Sequence, residues 1–184
     1  MPQVNHQILG LGGGGDTPEQ TRALLAHAVS LTGTERPRVL HVPTAMGDAD
    51  TAVVAFYERF AGLGELSHMK FHPWPPAGLR ELALGQDAIF VGGGSTANML
   101  AVWRVHGFDR ILREAWDAGV LLFGWSAGID LVDSGFPEGM AADDGVGLHY
   151  VGTQLREVVT CRPGAAAYRV TRDGEERLQA RLIS

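Results

Sequence analysis

Twice in its first hundred residues the chain runs from a short apolar segment through a block of glycines into a helical pattern. Gln7-Ile8-Leu9-Gly10-Leu11 leads to Gly12-Gly13-Gly14-Gly15 and then to Thr17-Pro18-Glu19-Gln20. Ala88-Ile89-Phe90-Val91 leads to Gly92-Gly93-Gly94 and then to Ser95 and Thr96. Apolar runs of this length read as buried strands, and the glycines permit a tight turn between strand and helix. Strands alternating with helices pair in parallel and bury both faces of the sheet under helices. The expected fold class is therefore α/β, a mostly parallel sheet with helices on both faces.

The intervening segments keep to this plan. Thr17 and Gln20 form a capping box, with Pro18 at the first helical position. Leu24, Leu25, Ala28 and Leu31 mark one helical face, ending at Gly33. Arg38–Val42 is a second strand closed by Pro43, and Val53, Phe56, Tyr57, Phe60 and Leu63 recur at helical spacing. A third strand is expected from about Leu66 to Phe71, followed by a loop at His72-Pro73-Trp74-Pro75-Pro76. A helix capped by Ser95 or Thr96 should run to about Trp103. Phe108, Ile111, Leu112, Ala115 and Trp116 then trace a helical face that stops at Gly119, before the strand Val120–Phe123. Beyond Gly128 the texture changes. Val146–Val151, Arg156–Thr160 and Tyr168–Thr171 read as short strands between Gly- and Pro-containing turns, a C-terminal β-rich edge.

A chain of 184 residues fits a single domain, 1–184, with a core that needs no staples. The single cysteine, Cys161, excludes an internal disulfide and argues against a cysteine-rich zinc site. With 15 Lys and Arg against 21 Asp and Glu, the net charge of −6 disfavours nucleic acid as a partner. The N-terminus has no basic stretch leading into an apolar one, and no run of 18 apolar residues exists. No membrane partner is expected, and the cytoplasm is the expected compartment.

Two motifs bear on chemistry. Gly10-Leu11-Gly12-Gly13-Gly14-Gly15 fits G-x-G-x-x-G, the pattern whose amides and helix N-terminus hold a pyrophosphate. The following strand ends in Val42-Pro43-Thr44, without the acidic residue a ribose would need. The plainer reading is a glycine turn beside some other site. Gly124-Trp125-Ser126-Ala127-Gly128 fits G-x-S-x-G directly after a buried strand. Residue frequencies give about 0.1 such matches by chance in a chain of this composition. In a nucleophile elbow the serine sits on a strained strand-to-helix turn, and its glycine neighbours remove clashing side chains. The plainer reading makes Ser126 the N-cap of the next helix.

Around Ser126 the sequence offers partners of unequal quality. Gly92-Gly93-Gly94 ends the preceding strand and could aim an amide at a tetrahedral oxyanion, with the Ala127 amide as second donor. Alternatively, its glycines serve only the turn. Seven histidines are present, and only His149 follows the serine, inside an expected strand where a face histidine is the plainer reading. Asp130, Asp133, Glu138, Asp143 and Asp144 could each orient a base, although Asp143-Asp144-Gly145 reads as a turn.

Taken in order, these segments resemble the peptidase E family, the S51 serine peptidases, which includes alpha-aspartyl dipeptidases. The matching pieces are Gly10 to Gly15, Val42-Pro43-Thr44-Ala45, Val91 to Leu100 and Gly124 to Gly128. The tail segments Ala141 to Gly145, Leu148 to Gly152 and Arg162 to Ala165 also match. The resemblance implies a class I glutamine-amidotransferase-like fold, with Ser126 as nucleophile. It implies an oxyanion hole from the Gly93/Gly94 loop and the Ala127 amide. It further implies hydrolysis of dipeptides with N-terminal aspartate, without metal or cofactor. The expected partner is a small peptide substrate, and a homodimer is compatible with the fold.

The chain departs from the family pattern after the elbow. Family members place several dozen residues there, bearing the catalytic histidine, its acidic partner and the arginine-containing part of the aspartate pocket. Here Ser126-Ala127-Gly128-Ile129 leads almost directly to Phe136-Pro137-Glu138-Gly139-Met140-Ala141. His149 matches a tail position, not the catalytic one. If the chain is continuous, the elbow helix is cut to about one turn or runs directly into the tail, and the Ser126 cleft stands open on one side. Such a chain should hydrolyse Asp-X dipeptides poorly, or act as an inactive homologue that binds without turnover.

Overall fold

The computed structural model describes residues 6–125 and 138–183. Five parallel strands form the frame: β1 (Gln7–Leu11), β2 (Arg38–Val42), β3 (Glu65–His68), β4 (Ala88–Val91) and β5 (Leu121–Trp125). Between them lie α1 (Pro18–Ser30), α2 (Asp50–Phe60), α3 (Leu79–Leu84), α4 (Thr96–His106) and α5 (Phe108–Asp117). A single 3-10 turn, Thr44–Met46, follows β2. Downstream come β6 (Glu138–Ala142), β7 (Val146–Val151), β8 (Gln154–Thr160), β9 (Ala167–Thr171), β10 (Gly174–Leu178) and β11 (Arg181–Leu182).

The large sheet has the order β11-β8-β7-β1-β5-β4-β2-β3. Strand β7 pairs antiparallel with β1 and with β8, so the C-terminal strands extend the parallel frame on one side. The remaining strands form a separate antiparallel sheet, β10-β9-β6. The sequence predicts one β-rich edge; the chain in fact divides its C-terminal strands between an extension and a second small sheet.

Strand alternation decides which helix covers which face. Val39, Ala88, Phe90, Leu121 and Phe123 point to one side and meet Leu24, Leu25 and Ala28 of α1 and Phe56 and Phe60 of α2. Leu40, Val42 and Ile89 point to the other and meet Ala83, Met99, Trp103, Phe108 and Leu112 of α3 to α5. A third cluster of Val146, Leu148, Val158 and Ala167 joins the second sheet to β7 and β8. Among the described residues no helix is long and apolar enough to cross a membrane.

Local chemistry fixes the element ends. The Thr17 side chain accepts from the Gln20 amide while the Gln20 side chain accepts from Thr17, closing the expected capping box. Ser95, not Thr96, caps α4 through the Asn98 amide. That helix continues past Trp103 to His106, and Gly107 ends it at φ 68°. Strand β3 stops at His68, shorter than expected, although Met69 and Phe71 beyond it are buried.

Candidate active site

Strand β5 runs to Trp125, so the first two residues of the G-x-S-x-G motif belong to the strand itself. Gly124 pairs with Gly10 of β1 and Val91 of β4 at the carboxyl edge of the sheet. A Cβ on Gly124 would lie 2.5 Å from the Val91 carbonyl oxygen, so close strand approach demands glycine there. Ser126, Ala127, Asp130 and Asp133 lie outside the described residues, as does the expected short helix after the elbow. Trp125, the residue before Ser126 in the sequence, is the last described residue of β5.

The expected oxyanion loop reaches the same edge. Trp125 and Gly93 line two cavities together, one of about 470 Å³ that reaches Gly12 to Gly15, the other of about 240 Å³ that reaches His41 and Met46. Gly94 lines a third, of about 320 Å³, with Gly10, Gly124 and Met140. Gly94 takes φ 135°, a conformation open to glycine alone, and a Cβ there would collide with the Ala45 carbonyl. The Ser95 amide donates to that same carbonyl at 2.9 Å. The loop is thus clamped on the 3-10 turn after β2.

The first glycine block has a packing role. The Gly12 amide donates to Val146 and the Gly145 amide to Gly13. A side chain on Gly12 would run into the Asp143 carbonyl, and one on Gly13 into the Asp144 carboxylate. These glycines let the Asp143–Gly145 turn, with Gly145 at φ 77°, fold onto the head of α1. Oxygen atoms crowd that side of the block, an unfavourable lining for a pyrophosphate. The structure therefore favours the plainer reading of G-x-G-x-x-G.

His149 does not reach the carboxyl edge. It pairs with Leu9 in the middle of β1 and is buried; its Nε2 lies 2.9 Å from Gln7 Oε1, and its Nδ1 faces Glu157 at 3.7 Å. Burial lowers its pKa, partly opposed by Glu157. Of the other candidate orienters, Asp143 accepts from the Ala166 amide and is structural. Cys161 is a buried thiol, raised by that burial.

One histidine, His41, lines the smaller cavity with Trp125 and Gly93, and a second, His72, forms a pair with Asp48. His41 is stacked on Phe56 and also contacts Phe90, with Nδ1 3.3 Å from the Phe90 carbonyl. Burial pushes its pKa down to about 4, so the ring is neutral near pH 7. His72 is held by Asp48, whose Oδ2 accepts from the Phe71 amide, the His72 amide and His72 Nδ1 at 2.8, 2.9 and 2.9 Å. A carboxylate on Nδ1 leaves Nε2 as the outward atom of a largely exposed ring. Asp48 itself takes φ 57°, a left-handed conformation in which Asp is enriched.

Comparison with known proteins places this geometry. Residues 8–134 match the family model described as Peptidase family S51. The chain belongs to peptidase family S51. A curated relative named "Uncharacterized peptidase YgaJ", from Bacillus subtilis (strain 168), is 33% identical over 210 residues, covering 89% of this chain and 91% of the relative. An alignment longer than the 184-residue chain includes residues of the relative that have no counterpart here. Among solved structures, a peptidase from an acI-B1 Actinobacterium superposes with TM-score 0.71 at 17% identity, covering 95% of this chain and 94% of that one. A putative peptidase E protein from Listeria monocytogenes EGD-e gives TM-score 0.54 at 19% identity, covering 70% and 62%. At these identities the two structures establish the S51-like fold. The expected α/β architecture and family are both confirmed.

Proposed function

We propose that this S51 chain is a serine-type peptidase acting on dipeptides with N-terminal aspartate. Ser126 is the nucleophile, and the amides of Gly93, Gly94 and Ala127 form the oxyanion hole. The observation that supports this most is the meeting of β5 and the glycine loop: Trp125 and Gly93 line two cavities in common. The serine Oγ attacks the scissile carbonyl, its proton passing to the nitrogen of the leaving amine, and the carbonyl oxygen takes the negative charge. Fixed amides stabilise that charge where it develops, and one such donor is typically worth about 3 kcal/mol. Collapse expels the amine, and water then releases the acyl group from Ser126. No step calls for a metal.

A second reading, binding with little or no turnover, draws support from the relative's unmatched residues and from the central, buried position of His149. Release of free leucine from Asp-Leu, measured for the wild type and Ser126→Ala, separates the two. Release that depends on Ser126 supports the peptidase; binding of Asp-Leu without release supports the second reading.

A further inference from the structure

The two cavities shared by Trp125 and Gly93 also share Arg59, from the last turn of α2. Its guanidinium lies over the Trp125 ring, 5.3 Å from the centroid. Other arginines near this edge are engaged: Arg162 holds Asp16 at 2.8 Å and Arg22 donates to the Ala61 carbonyl at 2.9 Å. Arg59 pairs with no carboxylate among the described residues. No acidic side chain among the described residues lines either cavity, and His41 in the smaller one is neutral near pH 7. Arg59 also lines a further cavity of about 500 Å³ together with Arg22, Glu58 and Asp16. Arg59 is therefore the one charged side chain, among the described residues, that lines the two cavities beside Gly93, and its planar fork is held against an aromatic face.

We infer that Arg59 is the specificity-determining residue of this site and receives a carboxylate of the substrate. This rests on the peptidase reading for its ligand, but not on turnover. A guanidinium matches a carboxylate with two parallel N–H bonds, and Trp125 restricts its orientation before the ligand arrives. The Asp143 carbonyl and Asp144 carboxylate behind the first glycine block repel any anion there, a doubly charged phosphate more than a single carboxylate. The carboxylate can be the aspartate side chain or the C-terminus of the dipeptide, and both are placed within the same cavities as the residue preceding Ser126.

Isothermal titration of the full chain tests this, in the wild type and in Ser126→Ala so that the ligand stays intact. The ligands are Asp-Leu, Asn-Leu, Asp-Leu amide and inorganic phosphate, and each is titrated again after Arg59→Gln and Arg59→Lys. The expected result is at least about tenfold tighter binding of Asp-Leu than of one uncharged analogue, as a charge-assisted bidentate contact gives. Weak Asn-Leu assigns the side chain, and weak Asp-Leu amide assigns the C-terminus. Arg59→Gln should erase that difference without moving the melting temperature, because the residue is exposed, and Arg59→Lys should restore part of it. Discrimination that survives Arg59→Gln overturns the inference, as does failure of the wild type to bind any of the dipeptides. Phosphate binding more tightly than Asp-Leu overturns it too. Arg59-dependent binding with no Ser126-dependent hydrolysis would leave this inference standing and remove the peptidase reading.

Discussion

The backbone of Gly94 lies against the carbonyl of Ala45 so closely that no side chain fits between them. Because the Ser95 amide donates to the same carbonyl, the loop after β4 takes its shape from the 3-10 turn after β2. Gly94→Ala must either strain at φ 135° or push the loop away. The expected cost is about 2–4 kcal/mol in chemical denaturation. Any Ser126-dependent turnover should fall by more than about tenfold, since oxyanion donors work only at short range. An unchanged unfolding midpoint would show that the clamp does not exist.

Asp48 should matter more for folding than an acidic loop residue usually does. Its side chain is 1% exposed, and its Oδ2 takes three hydrogen bonds. Asp48→Ala strands the Phe71 and His72 amides, and a buried donor without a partner costs about 1–3 kcal/mol. Denaturant melts should show a loss of about 2–4 kcal/mol. A loss below about 0.5 kcal/mol, the range of ordinary surface substitutions, would contradict this.

His41 makes stability depend on acid. Burial lowers its folded pKa to about 4, below the unfolded value of 6.5, so the unfolded chain binds the proton more tightly. The stability from its neutral form is complete above about pH 6.5 and falls as pH drops towards about 4. The slope attributable to it is about 1.4 kcal/mol per pH unit within that window, about 3 kcal/mol in all. His27 and His149 are also lowered by burial and act in the same direction. His41→Phe keeps an aromatic ring between Phe56 and Phe90 and should flatten the profile between pH 6.5 and 4 by that slope. Parallel profiles for variant and wild type would refute the assignment.

The parts of the fold legible in the sequence are those whose period is local. Ala88–Val91 and the face Phe108, Ile111, Leu112, Ala115 appear where the residues predict them. Strand β10, Gly174–Leu178, has no apolar alternation because it is almost wholly exposed and exists through pairing with β9. Helix α3 is six residues long, too short for a helical period to declare itself. The site divides the same way. G-x-S-x-G and the Gly92–Gly94 block could be read, whereas Arg59 meets Trp125 across 66 positions only because α2 lies over that face of the sheet. No local pattern encodes such a contact. Asp48 and His72 join two loops that the order of β2 and β3 brings side by side.

The central claim, that Ser126 is the nucleophile of this S51 chain, is tested most directly by Asp-Leu hydrolysis. Free leucine is measured over time for the wild type and for Ser126→Ala, both shown to be folded by their melting curves. The account predicts release by the wild type and a fall of at least about a hundredfold in the variant, as loss of an acyl-forming nucleophile gives. Equal release by the two proteins, or none by either, would contradict it.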